Sequence, residues 1–190
     1  RQAIASLESD PRFTWLHGIQ TNLTTYDSDW ADIYVKHFDR EVGVSWDEKI
    51  RQVRGGDETT KSARFEAQFW PNLAKLIQDG LSPYLVVTGT RVLFEAFPNP
   101  TEWFDKITSA GVTHAHLERI TKTGYARDSW DEIGLNNAEY SQYMSRWYRA
   151  YLLWNESHPE RRLALSPFDG LEREIEKLSA EEGQGGYGCW

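Results

Sequence analysis

Two short polar clusters are the residues of this sequence best suited to chemistry. Gln20-Thr21-Asn22 ends the stretch Trp15-Leu16-His17-Gly18-Ile19, and Ser45 and Asp47 end the stretch Glu41-Val42-Gly43-Val44. Each is a largely apolar run that stops in hydroxyl, amide or carboxylate groups, which hold ligands through hydrogen bonds and charge. His114 and His116 stand two apart on one strand face, a spacing that can ligate a metal. Two histidines without a third ligand are more often core or interface residues. Cys189 is the single cysteine of the chain. It excludes an intrachain disulfide and fits a cytoplasmic origin.

The rest of the chain must position these groups. Phe13 to Leu23 and Val42 to Trp46 have the composition of strands, and a helical pattern separates them, from Asp27 or Ser28 through Phe38. A β-α-β unit of this kind makes the two strands parallel neighbours with both polar tips at one rim. That rim, the carboxyl end of the strands, is where α/β sheets and barrels bind ligands. Other roles fit as well: Thr21 and Asn22 suit a strand-to-helix turn, and Ser45 and Asp47 can cap the segment that follows. After a polar loop from Asp47 to Lys61, Ser62 to Gln78 reads as a helix with Phe65, Phe69, Leu73, Leu76 and Ile77 on its buried stripe. Gly80 ends it, and Pro71 predicts a kink or a split. Pro83 to Thr90 is a third strand, apolar throughout, as in a sheet covered on both faces. Asn99-Pro100 opens a helix to Ala110, and Val112 to Ile120 is a fourth strand. An irregular loop, Thr121 to Leu135, leads to a long aromatic helix capped at Asn136 and running through Trp154. A last amphipathic helix spans Leu171 to Leu178.

Composition narrows the function. The 190 residues, 39% hydrophobic and 26% charged, suit one soluble domain with a core. Nine Trp, nine Tyr and eight Phe point to a large aromatic core rather than a stacking surface. A net charge of −8 without any basic run argues against nucleic acid. No apolar run approaches the ~20 residues of a membrane span. The chain starts at Arg1 and closes on Gly188-Cys189-Trp190, which reads as a fragment of a longer polypeptide.

With its strands placed, the sequence resembles the radical S-adenosylmethionine enzymes of the anaerobic sulfatase-maturase and SPASM peptide-modifying type. Ile19-Gln20-Thr21-Asn22 is similar to that family's third barrel strand, and Val44-Ser45-Trp46-Asp47 to its fourth, which usually reads Ser-x-Asp-Gly. Arg54-Gly55-Gly56 resembles the arginine-bearing loop that follows. Val86-Val87-Thr88 and His116-Leu117-Glu118-Arg119 fall where the fifth and sixth strands belong. The resemblance implies an α/β fold, the C-terminal part of a partial (β/α)6 TIM-like barrel. Residues 1–165 would hold barrel strands three to six, and residues 166–190 a linker into a truncated SPASM-like auxiliary region.

The resemblance also implies chemistry. Its cofactors are S-adenosylmethionine and a four-iron four-sulfur cluster, used to cleave S-adenosylmethionine reductively and abstract hydrogen from a peptide or protein side chain. Thr21, Asn22, Ser45, Asp47, Arg54 and Leu117 would line the S-adenosylmethionine pocket: Ser45 and Arg54 at carboxylate or ribose, Leu117 beside the adenine. Cys189 would be the first thiolate of an auxiliary cluster, or else a free thiol. Glu118 and Arg119 are either an internal ion pair or a substrate contact. The C-x3-C-x2-C and Gly-Gly-Glu-Pro motifs belong to strands upstream of this stretch, so the fragment alone is expected to bind no cofactor and to be inactive. Glu48 stands where the family has Gly. Exposed barrel edges would favour a homo-oligomer. The alternative is a non-catalytic α/β binding or scaffolding domain that uses the same rim for docking.

Overall fold

The computed structural model describes residues 12, 17–51 and 58–179. A single sheet of five parallel strands organises them, in the order β1 (Gln20–Thr21), β2 (Glu41–Ser45), β3 (Ser82–Gly89), β4 (His114–Arg119) and β5 (Ala164–Ser166). The sequence predicts four strands. The fifth has only three residues, too few to show a period. β1 is shorter than expected, although Gly43 still donates its N–H to the Ile19 carbonyl at 2.9 Å. Residues 13–16 lie outside the described part.

Helices fill the crossovers. α1 (Ala31–His37) follows a 3-10 turn at Ser28–Trp30, where the Asp27 carboxylate accepts from the Asp29 N–H. α2 (Glu58–Gln78) is one helix and runs unbroken through Pro71, which corrects the expected split. Its stripe holds it: Phe65, Phe69, Leu73 and Leu76 are all buried in the core. Such burial contributes roughly 1.5–3 kcal/mol for each large side chain, comparable to the ~3 kcal/mol cost of an interior proline. Gly80 at φ +79° closes α2, with its N–H on the Ile77 carbonyl and the Leu81 N–H on Leu76. This double bond pattern needs a left-handed residue, and glycine adopts that conformation without strain. α3 (Arg91–Ala96), which the sequence does not predict, is capped by the Thr90 hydroxyl. α4 (Pro100–Ser109) follows the Asn99 cap.

Between β4 and β5 the supposed irregular loop contains a 3-10 turn, Gly124–Arg127, and the single helical turn α5 (Trp130–Ile133). α6 (Asn137–Ser157) starts on the expected Asn136 cap, completed by Glu139 as a reciprocal capping box. It is the aromatic helix, and its buried residues face inward as expected. Trp147 sits 5.1 Å from Phe94, 5.3 Å from Trp103 and 5.7 Å from Phe104 between ring centroids. α7 (Phe168–Ser179) packs on β5, and Phe168 is buried against Tyr148 and Tyr151. The expected division at 165/166 therefore falls inside β5. Among the described residues no helix is long and apolar enough to cross a membrane.

The two faces of the sheet differ. Val42, Val44, Leu85, Val87, Ala115, Leu117 and Leu165 form the helix-covered face and are buried. The opposite face carries Gly43, Tyr84, Val86, His114 and His116, joined by strand register and partly or largely exposed. β3 is apolar throughout but buried on one side only, so Tyr84 keeps 39% exposure.

Candidate functional site

The polar tips do converge. β1 pairs parallel with β2, matching Gln20 to Gly43 and Thr21 to Val44, so both strands end at the same rim. β3 and β4 end there too. A cleft of about 1020 Å³ opens at this rim, lined among others by Asn22, Asp47, Arg51, Thr88, Thr90 and Ile120. These six residues lie at or just past the carboxyl ends of four consecutive strands. Ligand pockets of α/β proteins form there because the loops diverge and leave space. Lys49 and Glu132 add one cation and one more acid to the wall.

Asp47 holds the rim together. It is 8% exposed. One carboxylate oxygen accepts from the Thr88 backbone N–H at 2.7 Å, and the other from Arg51 Nε at 2.8 Å. The first bond ties the tip of β2 to β3. The second fixes the Arg51 side chain, which lines the cleft. The connecting turn is closed by Ile50 N–H on the Asp47 carbonyl at 3.4 Å, and Lys49 takes the left-handed conformation, φ +54°. The left-handed position of the turn is therefore residue 49 and not Glu48.

The other expected site residues divide four ways. Asn22 lines the cleft, and its Oδ1 accepts from Thr24 N–H at 3.2 Å and Thr24 Oγ1 at 2.9 Å, which leaves the amide N–H groups for a ligand. Thr21 shares the helix-side register of Val44, and its hydroxyl accepts from Leu23 N–H at 3.2 Å in a local turn. Ser45 is 4% exposed and accepts from Gln20 Nε2 at 2.6 Å. Leu117, expected beside an adenine, is instead a core residue: it is 2% exposed and registers with Val87 on the helix face. Arg54 and Cys189 lie outside the described residues.

His114 and His116 share the open sheet face, but no group of three His, Cys, Asp or Glu among the described residues could hold a metal. Arg119 donates to Asn137 Oδ1 and lies 4.9 Å over the Tyr140 ring, a set of contacts that does not include Glu118. Burial keeps the Tyr140 phenol above its ordinary range, and Arg119 opposes that shift.

Arg51, Thr88, Thr90 and Glu132 went unrecognised as rim residues in the sequence. Thr90 carried a signal, since a hydroxyl directly after an apolar strand and three before Leu93 has helix-cap spacing. Arg51 carried a weaker one, the four-residue spacing from Asp47.

No protein-family model matches the chain. No curated protein matches it either. Solved structures do share the fold. Native anSMEcpe with bound AdoMet and Kp18Cys peptide superposes with a TM-score of 0.55 at 16% identity, over 92% of this chain and 45% of that one. Native anSMEcpe with bound AdoMet alone gives 0.55 and 16%, over 92% and 44%. A hexahistidine-tagged form with bound AdoMet gives 0.52 and 18%, over 90% and 42%. The chain spans less than half the length of these proteins. At such identity the likeness concerns the fold: one parallel sheet with flanking helices, matching part of a TIM-like barrel.

Proposed function

We propose that the rim cleft is an S-adenosylmethionine pocket and that the chain is the barrel part of a radical S-adenosylmethionine enzyme of the sulfatase-maturating kind. The observation that carries this reading is the delivery of four consecutive strand tips into one cleft, in a fold shared with AdoMet-bound structures. The donor set suits the ligand. Arg51, steadied by Asp47, offers guanidinium N–H groups to a carboxylate. The Asn22 amide donates to a hydroxyl or carbonyl. Thr90, 1% exposed, caps the following helix by accepting from Leu93 N–H at 3.2 Å and forms part of the cleft wall. Ile120, Val92 and Ile133 give the apolar wall that an adenine needs. When bound, S-adenosylmethionine supplies an adenosyl group for hydrogen abstraction.

The cluster does not fit this chain. A three-thiolate site needs three cysteines, and the sequence has one. No step is derived through it. In this reading the cluster ligands and the peptide substrate belong to a longer protein. The barrel unit runs through α7, and a SPASM-like region with Cys189 as its first ligand would follow residue 179. Barrel edges left unpaired would be covered by a second copy, which light scattering checks.

The test is ligand-observed NMR of the chain with S-adenosylmethionine and S-adenosylhomocysteine. Without the cluster no stable complex is expected, but the cleft wall alone should give weak, millimolar saturable transfer to the adenine and ribose protons, and Arg51→Met should weaken it about tenfold, or ~1.4 kcal/mol. No transfer at about 5 mM ligand, a Kd weaker than roughly −3 kcal/mol, rejects the pocket. The alternative of a binding or scaffolding module draws on the internal engagement of Thr21, Ser45 and Asp47. It requires that no nucleoside binds.

A further inference from the structure

The end of β2 sends three successive side chains in three directions. Trp46 packs among the helices and Asp47 reaches Thr88 and Arg51. Glu48, only 7% exposed, enters a slot between α2 and α4. The slot is a cation cage. Lys106 Nζ lies 4.5 Å from the Trp46 ring centroid, 5.1 Å from Trp70 and 5.6 Å from Phe97. It is also 3.5 Å from Glu48 Oε2 and 3.8 Å from Glu66 Oε2. Glu66 is itself fixed by both indoles, accepting from Trp46 Nε1 at 2.9 Å and Trp70 Nε1 at 2.8 Å. Three π faces and two carboxylates thus lie around one ammonium whose side chain is 32% exposed, so solvent screens it far less than it screens a fully exposed cation.

Glu48 depends on that ammonium. Its other cation among the described residues, Lys49, stands 4.0 Å away and is 70% exposed, so solvent screens it. A buried carboxylate without a partner moves toward water. Movement of Glu48 would carry the turn with it, because that turn is closed by a long 3.4 Å hydrogen bond and has a non-glycine residue in the left-handed region.

We propose that Lys106 is a positioning residue for the rim cleft: caged by Trp46, Trp70 and Phe97, it neutralises Glu48 and so pins the turn that aims Asp47 and Arg51. The conformational part stands on geometry alone. The consequence for S-adenosylmethionine rests on the reading of the cleft given above.

Amide hydrogen exchange and indole N–H shifts test it in the folded chain. Lys106→Met keeps the apolar stem and removes the charge. It should speed exchange of the Thr88 amide at least tenfold, shift the Trp46 and Trp70 indole signals, and leave the Ala115 and Leu165 amides unchanged. Lys106→Arg should restore Thr88 protection. Glu48→Gly separates positioning from packing: it removes the buried charge, so adding Lys106→Met to it should leave Thr88 exchange where Glu48→Gly alone sets it. If Lys106→Met proves unfolded, adding Glu48→Gln to it, which removes the unpaired buried charge, must restore the fold and the Thr88 protection. Unchanged Thr88 exchange in folded Lys106→Met, or an equal effect of Lys106→Met with and without Glu48, overturns the proposal. In the ligand arm Lys106→Met should weaken S-adenosylmethionine binding about fivefold. If wild type binds no S-adenosylmethionine yet Thr88 responds, the cleft assignment falls and the positioning role stands.

Discussion

Replacing Asp47 by Ala should destabilise the chain by about 1.5–2.5 kcal/mol, and the two hydrogen bonds of its carboxylate set that figure. The bond from the Thr88 N–H is 2.7 Å and charge-assisted, and its loss leaves a backbone donor unpaired beside the cleft, at about 1–3 kcal/mol. Water admitted by the cleft keeps this term toward its lower end. The Arg51 bond is 2.8 Å, but that side chain is 34% exposed, so solvent limits it to roughly 0.5–1 kcal/mol. Asp47→Asn keeps a carbonyl oxygen for Thr88 and gives up the ion pair, so about 1 kcal/mol is expected. For a chain of this size each kcal/mol lowers Tm by about 2–4 °C, which separates the two variants by several degrees. Urea unfolding at neutral pH gives the comparison directly, with unchanged m-values as the sign that the folded state is intact. Arg51→Met should add almost nothing to Asp47→Ala, since their shared bond is already gone. The reasoning fails if Asp47→Ala costs no more than Asp47→Asn, because the Thr88 amide would then not depend on the carboxylate.

Two further outcomes are expected. Burial, with the Glu172 carboxylate adding to it, pushes the Tyr151 phenol up to about 12, against about 10 in an unfolded chain. Tyr151 therefore favours folding fully below pH about 10 and loses that contribution between about 10 and 12, where only the unfolded chain releases the proton. Tyr151→Phe should flatten the decline of urea midpoints in that window, and an unaltered slope counts against the burial. At the helix ends, Gly80→Ala should cost about 1 kcal/mol, for the left-handed backbone alone, since the nearest atom to the new Cβ is 3.6 Å away. Gly111→Ala adds a 2.9 Å approach to Ile77 Cδ1 and should cost more; equal losses would mean that Ile77 moves aside freely.

Long periodic segments and caps were legible because their causes are local. The stripe Phe65-Phe69-Leu73-Leu76 announces α2, and Asn136 with Glu139 announces α6 within four residues. The rim was legible for a similar reason, since a polar tip after an apolar run needs only strand direction to be placed. β5 and α3 were not, being three and six residues long, less than two helical turns. Pro71 misled because a local rule lost to the tertiary packing of its helix. Leu117 misled through the alternation of β4, where the one-residue step between Leu117 and His116 decides between helix face and open face. The cage around Lys106 joins residues 58 apart and needs the fold before it can be seen.

The order of strands in the sheet, β1 to β5, is also their order along the chain. Each strand finds its partner one β–α unit back, so the loops closed at each step are short and their entropy cost grows little as the sheet widens. Synthesis proceeds in the same direction, and every strand leaves the ribosome with its template already made. Among the described strands, pairing thus follows chain order. The cleft differs: it lacks a wall until Ile120 and Glu132 arrive after β4, long after Asn22 and Asp47 have been set in place.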